Sequence, residues 1–195
     1  MQQRRRSGII LGVLSLGLLA GAALTAHPAQ AVDAVGPYYA EPAWDQSLPA
    51  ATRFVVLTNW GSAAVLDKET GLVWERSPSS ATFKWLDTSG LTDARTHCTA
   101  LITGGRKGWR LPSLPELQSL IDPSVAAPGP TLPPGHPFLT VQSADYWSAT
   151  TDAVLPTLAC HVGFGQVVLN HNGKAGTFRA RRVRGGMNPD QYSGL

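Results

Sequence analysis

The chain has 195 residues, 43% of them hydrophobic and 15% charged, with a formal net charge of +3 at pH 7. That composition is ordinary for a globular protein and excludes a mini-protein or a highly charged disordered chain. The surplus charge sits at Arg4, Arg5 and Arg6; from residue 32 onward basic and acidic residues balance at 13 each, which removes the argument for nucleic-acid binding.

Residues 1–31 read as a signal peptide. The three arginines form its basic start, Gly8 to Ala26 is uncharged and largely apolar, and Ala29-Gln30-Ala31 places small side chains where a signal peptidase requires them. The alternative is an uncleaved anchor, because 19 such residues just span a bilayer. There is no cysteine for a lipoprotein anchor, and Ser7-Gly8 interrupts any twin-arginine pattern. The expected location is secreted or periplasmic, with no stable membrane span after cleavage.

Residues 32–52, rich in Ala and Pro, read as an irregular lead-in. Arg53 to Leu57 is a β-forming run. Ala63 to Asp67 and Leu72 to Arg76 form a hairpin around Lys68-Glu69-Thr70-Gly71, where Gly71 suits a positive φ. Leu91, Ala94, Cys98, Leu101 and Ile102 fall on one helical face, stopped by Gly104-Gly105. Ser113 and Glu116 have capping-box spacing and start a second helix, which Pro115 tolerates and Asp122-Pro123 ends.

Residues 122–137 hold six prolines and read as a long surface loop. Strands are expected at Tyr146–Thr150, around Cys160, Val162 and Phe164, at Val167–Leu169, and at Phe178–Val183. Asn170-His171-Asn172-Gly173 reads as a turn, and residues 186–195 as a flexible tail. Strands at both ends with two helices between them predict one α+β domain with a twisted, mainly antiparallel sheet.

Cys98 and Cys160 are the two cysteines of the chain. In an oxidising compartment one bridge is the simplest expectation, closing a loop that stabilises by about 4 kcal/mol in the chain-entropy model. The alternative is two thiols that never meet.

Several blocks, in this order, resemble the Lcl C-terminal domain family: Asp67-Lys68-Glu69-Thr70-Gly71-Leu72-Val73-Trp74, a helix bearing Cys98, Gly108-Trp109-Arg110-Leu111-Pro112-Ser113-Leu114-Pro115-Glu116-Leu117, Tyr146-Trp147-Ser148-Ala149-Thr150, and Arg181-Arg182-Val183-Arg184. The resemblance covers residues 53–185. It implies a compact domain similar to the C-type-lectin-like and formylglycine-generating-enzyme group of folds, found in exported and surface proteins. The tail of the founding adhesin binds sulfated glycosaminoglycans. Many relatives carry a cysteine where this chain has Arg182; a Cys98–Cys160 bridge would keep the family's helix-to-sheet staple with a different partner, and without that bridge the family's disulfide pattern does not transfer.

The expected function is a non-catalytic binding module for an anionic or sulfated glycan in adhesion, with a cell-envelope protein as the alternative partner, reached through the Pro-rich loop. Lys174, Arg179, Arg181, Arg182 and Arg184 are the candidate anion ligands, since arginine forks hold oxyanions in pairs. The bland reading is a solvated, charge-protected edge strand. Trp147 is either a sugar platform or core. Trp74, Trp109, Arg110 and Glu116 are read as structural. The histidines show no zinc-site spacing and there is no acidic calcium loop, so neither a metal nor a cofactor is expected. There is no Gly-x-Ser-x-Gly, phosphate loop or close carboxylate pair, so an enzyme of the formylglycine-generating-like group is the weakest alternative.

Overall fold

A computed structural model describes residues 48–87 and 93–185. The signal peptide, most of the lead-in, Leu91 and the tail lie outside the described residues. The elements run α1 (Ala50–Arg53), β1 (Phe54–Val56), a 3-10 turn (Thr58–Trp60), β2 (Ala64–Asp67), β3 (Val73–Glu75) and β4 (Thr82–Lys84). They continue with α2 (Ala94–Thr99), α3 (Leu114–Gln118), β5 (Asp145–Thr151), β6 (Leu158–Gly163), β7 (Val168–Gly173), β8 (Thr177–Arg179) and β9 (Val183–Arg184).

The fold is α+β, dominated by strands. Instead of one sheet there are two, in the orders β1-β2-β3-β9 and β4-β8-β5-β6-β7. Every pairing is antiparallel except β5 with β8. The β2–β3 hairpin forms where expected. Gly71 takes φ 68°, its N–H donates to Asp67 O, and the Asp67 carboxylate accepts from Glu69 N. Val65 and Trp74 then stand directly opposite, both fully buried.

Alternation along the strands sorts the core into two clusters. Phe54, Val65, Trp74 and Val183 of the first sheet pack with Tyr146 and Val162 of the second, with Phe164 just beyond β6, and with Leu117, Leu120 and Ile121 around α3. The next side chain along β5, Trp147, points the other way and joins Ala159, Ala180, Trp85, Leu111 and two residues of α2, Ala94 and Cys98. The second sheet is therefore covered on both faces.

The helices are shorter than their patterns predict. α2 has six residues, capped by Asp93, whose carboxylate accepts from Thr96 N at 2.7 Å. Ala94 and Cys98 are buried, but Ile102 is 60% exposed, because the helix has ended before it. Gly104 and Gly105, with φ of 60° and 69°, turn the chain so that Thr103 pairs with Arg106. α3 carries the full capping box between Ser113 and Glu116, with Pro115 in its first turn.

Two strand expectations are corrected. Asn170 to Gly173 is not a turn but the second half of β7, pairing residue by residue with β6 down to Leu158 opposite Gly173. It is an exposed edge strand, where polar side chains cost nothing, so composition resembled that of a turn. The final run is not one strand. β8 ends at Arg179 in the second sheet, the chain crosses at residues 180–182, and β9 joins the first sheet.

The Pro-rich loop is anchored rather than lying wholly on the surface. Thr131 and Leu132 are buried, and Thr131 donates through both N–H and hydroxyl to Phe164 O at 2.7 and 2.9 Å.

The expected Cys98–Cys160 bridge is absent. Cys98 packs with Ala159 on one face of the second sheet, and Cys160, the next residue after Ala159, projects from the other face. The Cys98 thiol instead points at Arg181 O, 3.9 Å away.

A candidate anion-binding surface

Three buried ion pairs hold the domain together and take some of the chemistry-bearing residues out of contention. Arg53 forks onto Asp67 at 2.9 and 2.7 Å, reaches Ser119 O and contacts Glu69 at 3.1 Å. Arg110 forks onto Glu116 at 2.7 and 2.6 Å and donates to Gly185 O, while Glu116 also accepts from Ser113 N. Arg110 and Glu116 thus tie the α3 cap to the end of β9.

Arg182 donates to Glu75 at 2.6 Å, to His97 O at 3.2 Å and to the His97 ring, whose Nε2 is 2.7 Å away. Burial, reinforced by the Arg182 charge, pushes the His97 imidazole down to about 4. Burial also raises the Glu75 carboxyl, against the lowering pull of Arg182.

Arg182 and Arg181 are therefore not surface ligands. Arg182 is 8% exposed, and Arg181 is fully sealed, with its guanidinium 4.2 Å from the Phe138 ring centre and 5.6 Å from that of Trp74. Both lie in the crossing between the sheets, where each side chain turns inward. Trp147 is also withdrawn. It is fully buried, edge-on to His161, and donates its indole N–H to Phe83 O at 2.8 Å. Trp74 and Trp109 are core residues, 0% and 1% exposed.

Two of the three remaining candidate cations, Arg184 and Lys174, meet aromatic rings. Trp60, half-buried at the end of the 3-10 turn, has Arg106 and Arg184 over its ring at 5.7 and 5.6 Å. Its ring stands edge-on to Trp109 at 6.3 Å. Gly104 makes room for it, because a Cβ there would stand 2.7 Å from the Trp60 Cβ. Trp109 Nε1 donates to Arg106 O, and Arg184 Nε donates to Lys107 O at 2.8 Å, so the exposed Arg106 and Lys107 are held beside Arg184. Among the described residues no carboxylate forms an ion pair with Arg106, Lys107 or Arg184.

A second such group surrounds Trp85, with Lys174 at 4.4 Å and Arg95 at 5.4 Å. Trp85 is buried, and burial followed by the Arg95 charge lowers the Lys174 ammonium. Arg179 is half-buried and turned inward to donate to Ser80 O.

Of the five cations picked from sequence, Arg184 alone belongs to the Trp60 group. Trp60, Arg106 and Lys107 were missed because they lie on a turn and a loop without periodicity. The one available signal was Gly104-Gly105 directly before Arg106 and Lys107.

The hairpin, the capped Trp-Arg-Leu-Pro segment and the closing strand all lie within a stretch that matches a known family. The family profile of the Lcl C-terminal domain matches residues 63–184, and the chain belongs to that family. No curated protein matches the chain. Among the described residues no helix is long and apolar enough to cross a membrane.

Proposed function

We propose that this chain is an exported, non-catalytic binding module with a C-type-lectin-like domain, and that it holds an anionic, sulfate-bearing polysaccharide in adhesion. The supporting observation is the Trp60 ring flanked by Arg106 and Arg184, with Lys107 alongside and no ion-paired carboxylate among the described residues. An indole offers a flat apolar face to sugar C–H groups, and guanidinium forks match sulfate oxygens. The balanced charge of residues 32–195 means that this local patch, not a long-range field, attracts the polymer.

The test is binding of the purified protein to sulfated and neutral glycans at low and physiological salt. The reading requires salt-sensitive binding to sulfated chains that is lost in the Arg106→Ala/Lys107→Ala/Arg184→Ala variant, and that survives Arg179→Ala. The competing reading is a cell-envelope protein partner at the Pro-rich loop, where Leu48, Pro49, Asp122, Pro133 and Pro134 border a cavity of about 350 Å³. Co-purification of a partner unaffected by the triple variant would favour that reading.

A further inference from the structure

Nearly every carboxylate among the described residues has a partner. Asp67, Glu69, Glu75 and Glu116 meet arginines, Asp87 meets Lys84 and Asp152 meets His171. Asp93 caps α2, and Asp122 accepts from Ser124. Asp145 is the exception. Its nearest cationic group is His161 Nδ1 at 3.8 Å, too far for a hydrogen bond, and its side chain is 44% exposed.

Asp145 and His161 line one cavity of about 350 Å³ with Ser143, Gln166 and Asn170, and no lysine or arginine borders it. Trp147, Phe178 and the second sheet enclose the His161 ring, which is 5% exposed, and its Nδ1 has no hydrogen-bond partner. Burial lowers the His161 imidazole, opposed by Asp145, so at neutral pH it leaves the aspartate charge uncompensated. Gly163 is shaped for this carboxylate, because a Cβ there would stand 2.8 Å from Asp145 Oδ1. A carboxylate without a close cation lines this cavity, and beside it the buried His161 Nδ1 supplies no hydrogen bond, which calls for a ligand bringing a cationic donor.

We propose that this cavity binds the primary ammonium group of a small hydrophilic amine, of the size of an amino sugar. Asp145 is the counter-ion, and the exposed Gln166 carboxamide oxygen is a further acceptor. The site is separate from the Trp60 surface and of opposite charge preference, so either can fail without the other.

The experiment is an amide-resolved NMR titration of the protein with glucosamine, and with N-acetylglucosamine as the probe that lacks the ammonium. Glucosamine is expected to shift the Gly163, Gln166 and Asn170 amides. Asp145→Asn should weaken it by about tenfold, the worth of one charge-assisted hydrogen bond. Asp145 is partly exposed, so that variant keeps the fold, which its own spectrum checks; Gln166→Ala is a second, milder test. The Arg106/Lys107/Arg184 variant should titrate like the parent. Equal shifts with N-acetylglucosamine, no shifts with glucosamine, or an unchanged titration in Asp145→Asn would each overturn the proposal.

Discussion

The guanidinium carbon of Arg181 lies 4.2 Å from the centre of the Phe138 ring, and none of its three nitrogens has a hydrogen-bond partner among the described residues. Its neighbour Arg182 is also buried but carries a carboxylate, Glu75, at 2.6 Å. Two adjacent arginines thus have opposite energetic roles. Burial pushes the Arg181 guanidinium down to about 10, a cost that Tyr146 and the more distant Glu75 carboxylate offset only in part.

Replacing Arg181 with Met should therefore be near neutral, within about 1 kcal/mol, or stabilising, since it removes a buried charge without stranding a partner. Arg182→Met should cost about 3 kcal/mol, because buried Glu75 loses its ion-pair and hydrogen-bond partner and keeps only the field of Arg181. Urea denaturation of both variants measures the contrast; equal losses would contradict it.

The α3 cap gives a graded pair. Ser113→Ala removes one acceptor and should cost about 1 kcal/mol. Glu116→Gln keeps an oxygen that can accept from Ser113 N but removes the charge opposite Arg110, and should cost about 3 kcal/mol. Chemical denaturation in which the serine variant lost as much as the glutamine variant would show that the ion pair adds nothing.

What the sequence showed and what it hid follows from the range of the physics. The Lys68–Gly71 turn and the Ser113–Glu116 cap were legible because each is specified within four residues. So was the alternation of Cys160, Val162 and Phe164. The fate of Arg181 and Arg182 was not, since their burial is decided by Trp74, Glu75 and Phe138, distant in sequence. The Trp60 surface was hidden for the same reason, its four residues coming from a 3-10 turn, a glycine turn and β9. The Cys98–Cys160 expectation rested on number and compartment, while the face each thiol occupies depends on register.

Acid should unfold the protein in a specific window. Burial and the Arg182 charge push the His97 imidazole down to about 4 in the folded protein, against about 6.5 for a free imidazole. The unfolded chain then binds more protons between these values, so the stability this histidine contributes is present at neutral pH and is lost as pH falls from about 6.5 toward 4. His136 and His161, also lowered by burial, act in the same direction. The melting temperature should decline through that window, and His97→Phe, which can still stack on Phe83, should flatten the slope while lowering the plateau. An unchanged slope would remove His97 from the account.

The thiols make a third contrast. Burial raises the Cys98 thiol far beyond its usual range, whereas Cys160 is partly accessible. A thiol-reactive probe should label Cys160 first in the native protein and both residues in denaturant, with reductant leaving the melting temperature unchanged. One label missing from the unreduced, denatured protein would reveal a disulfide. The tether from α2 to the final segment is here non-covalent, through Arg182 to His97 O and Cys98 to Arg181 O.

Trp74 and Val183 face each other in β3 and β9 although more than a hundred positions separate them, and the link between β8 and β9 joins both sheets. A nascent chain cannot complete either core cluster until this last stretch has been synthesised. Every earlier length leaves Trp74 and the edge of β3 uncovered. Truncation before Val183 should therefore yield aggregates rather than a smaller domain, and the complete chain should fold slowly. A polypeptide that closes only at its end stays open throughout its synthesis.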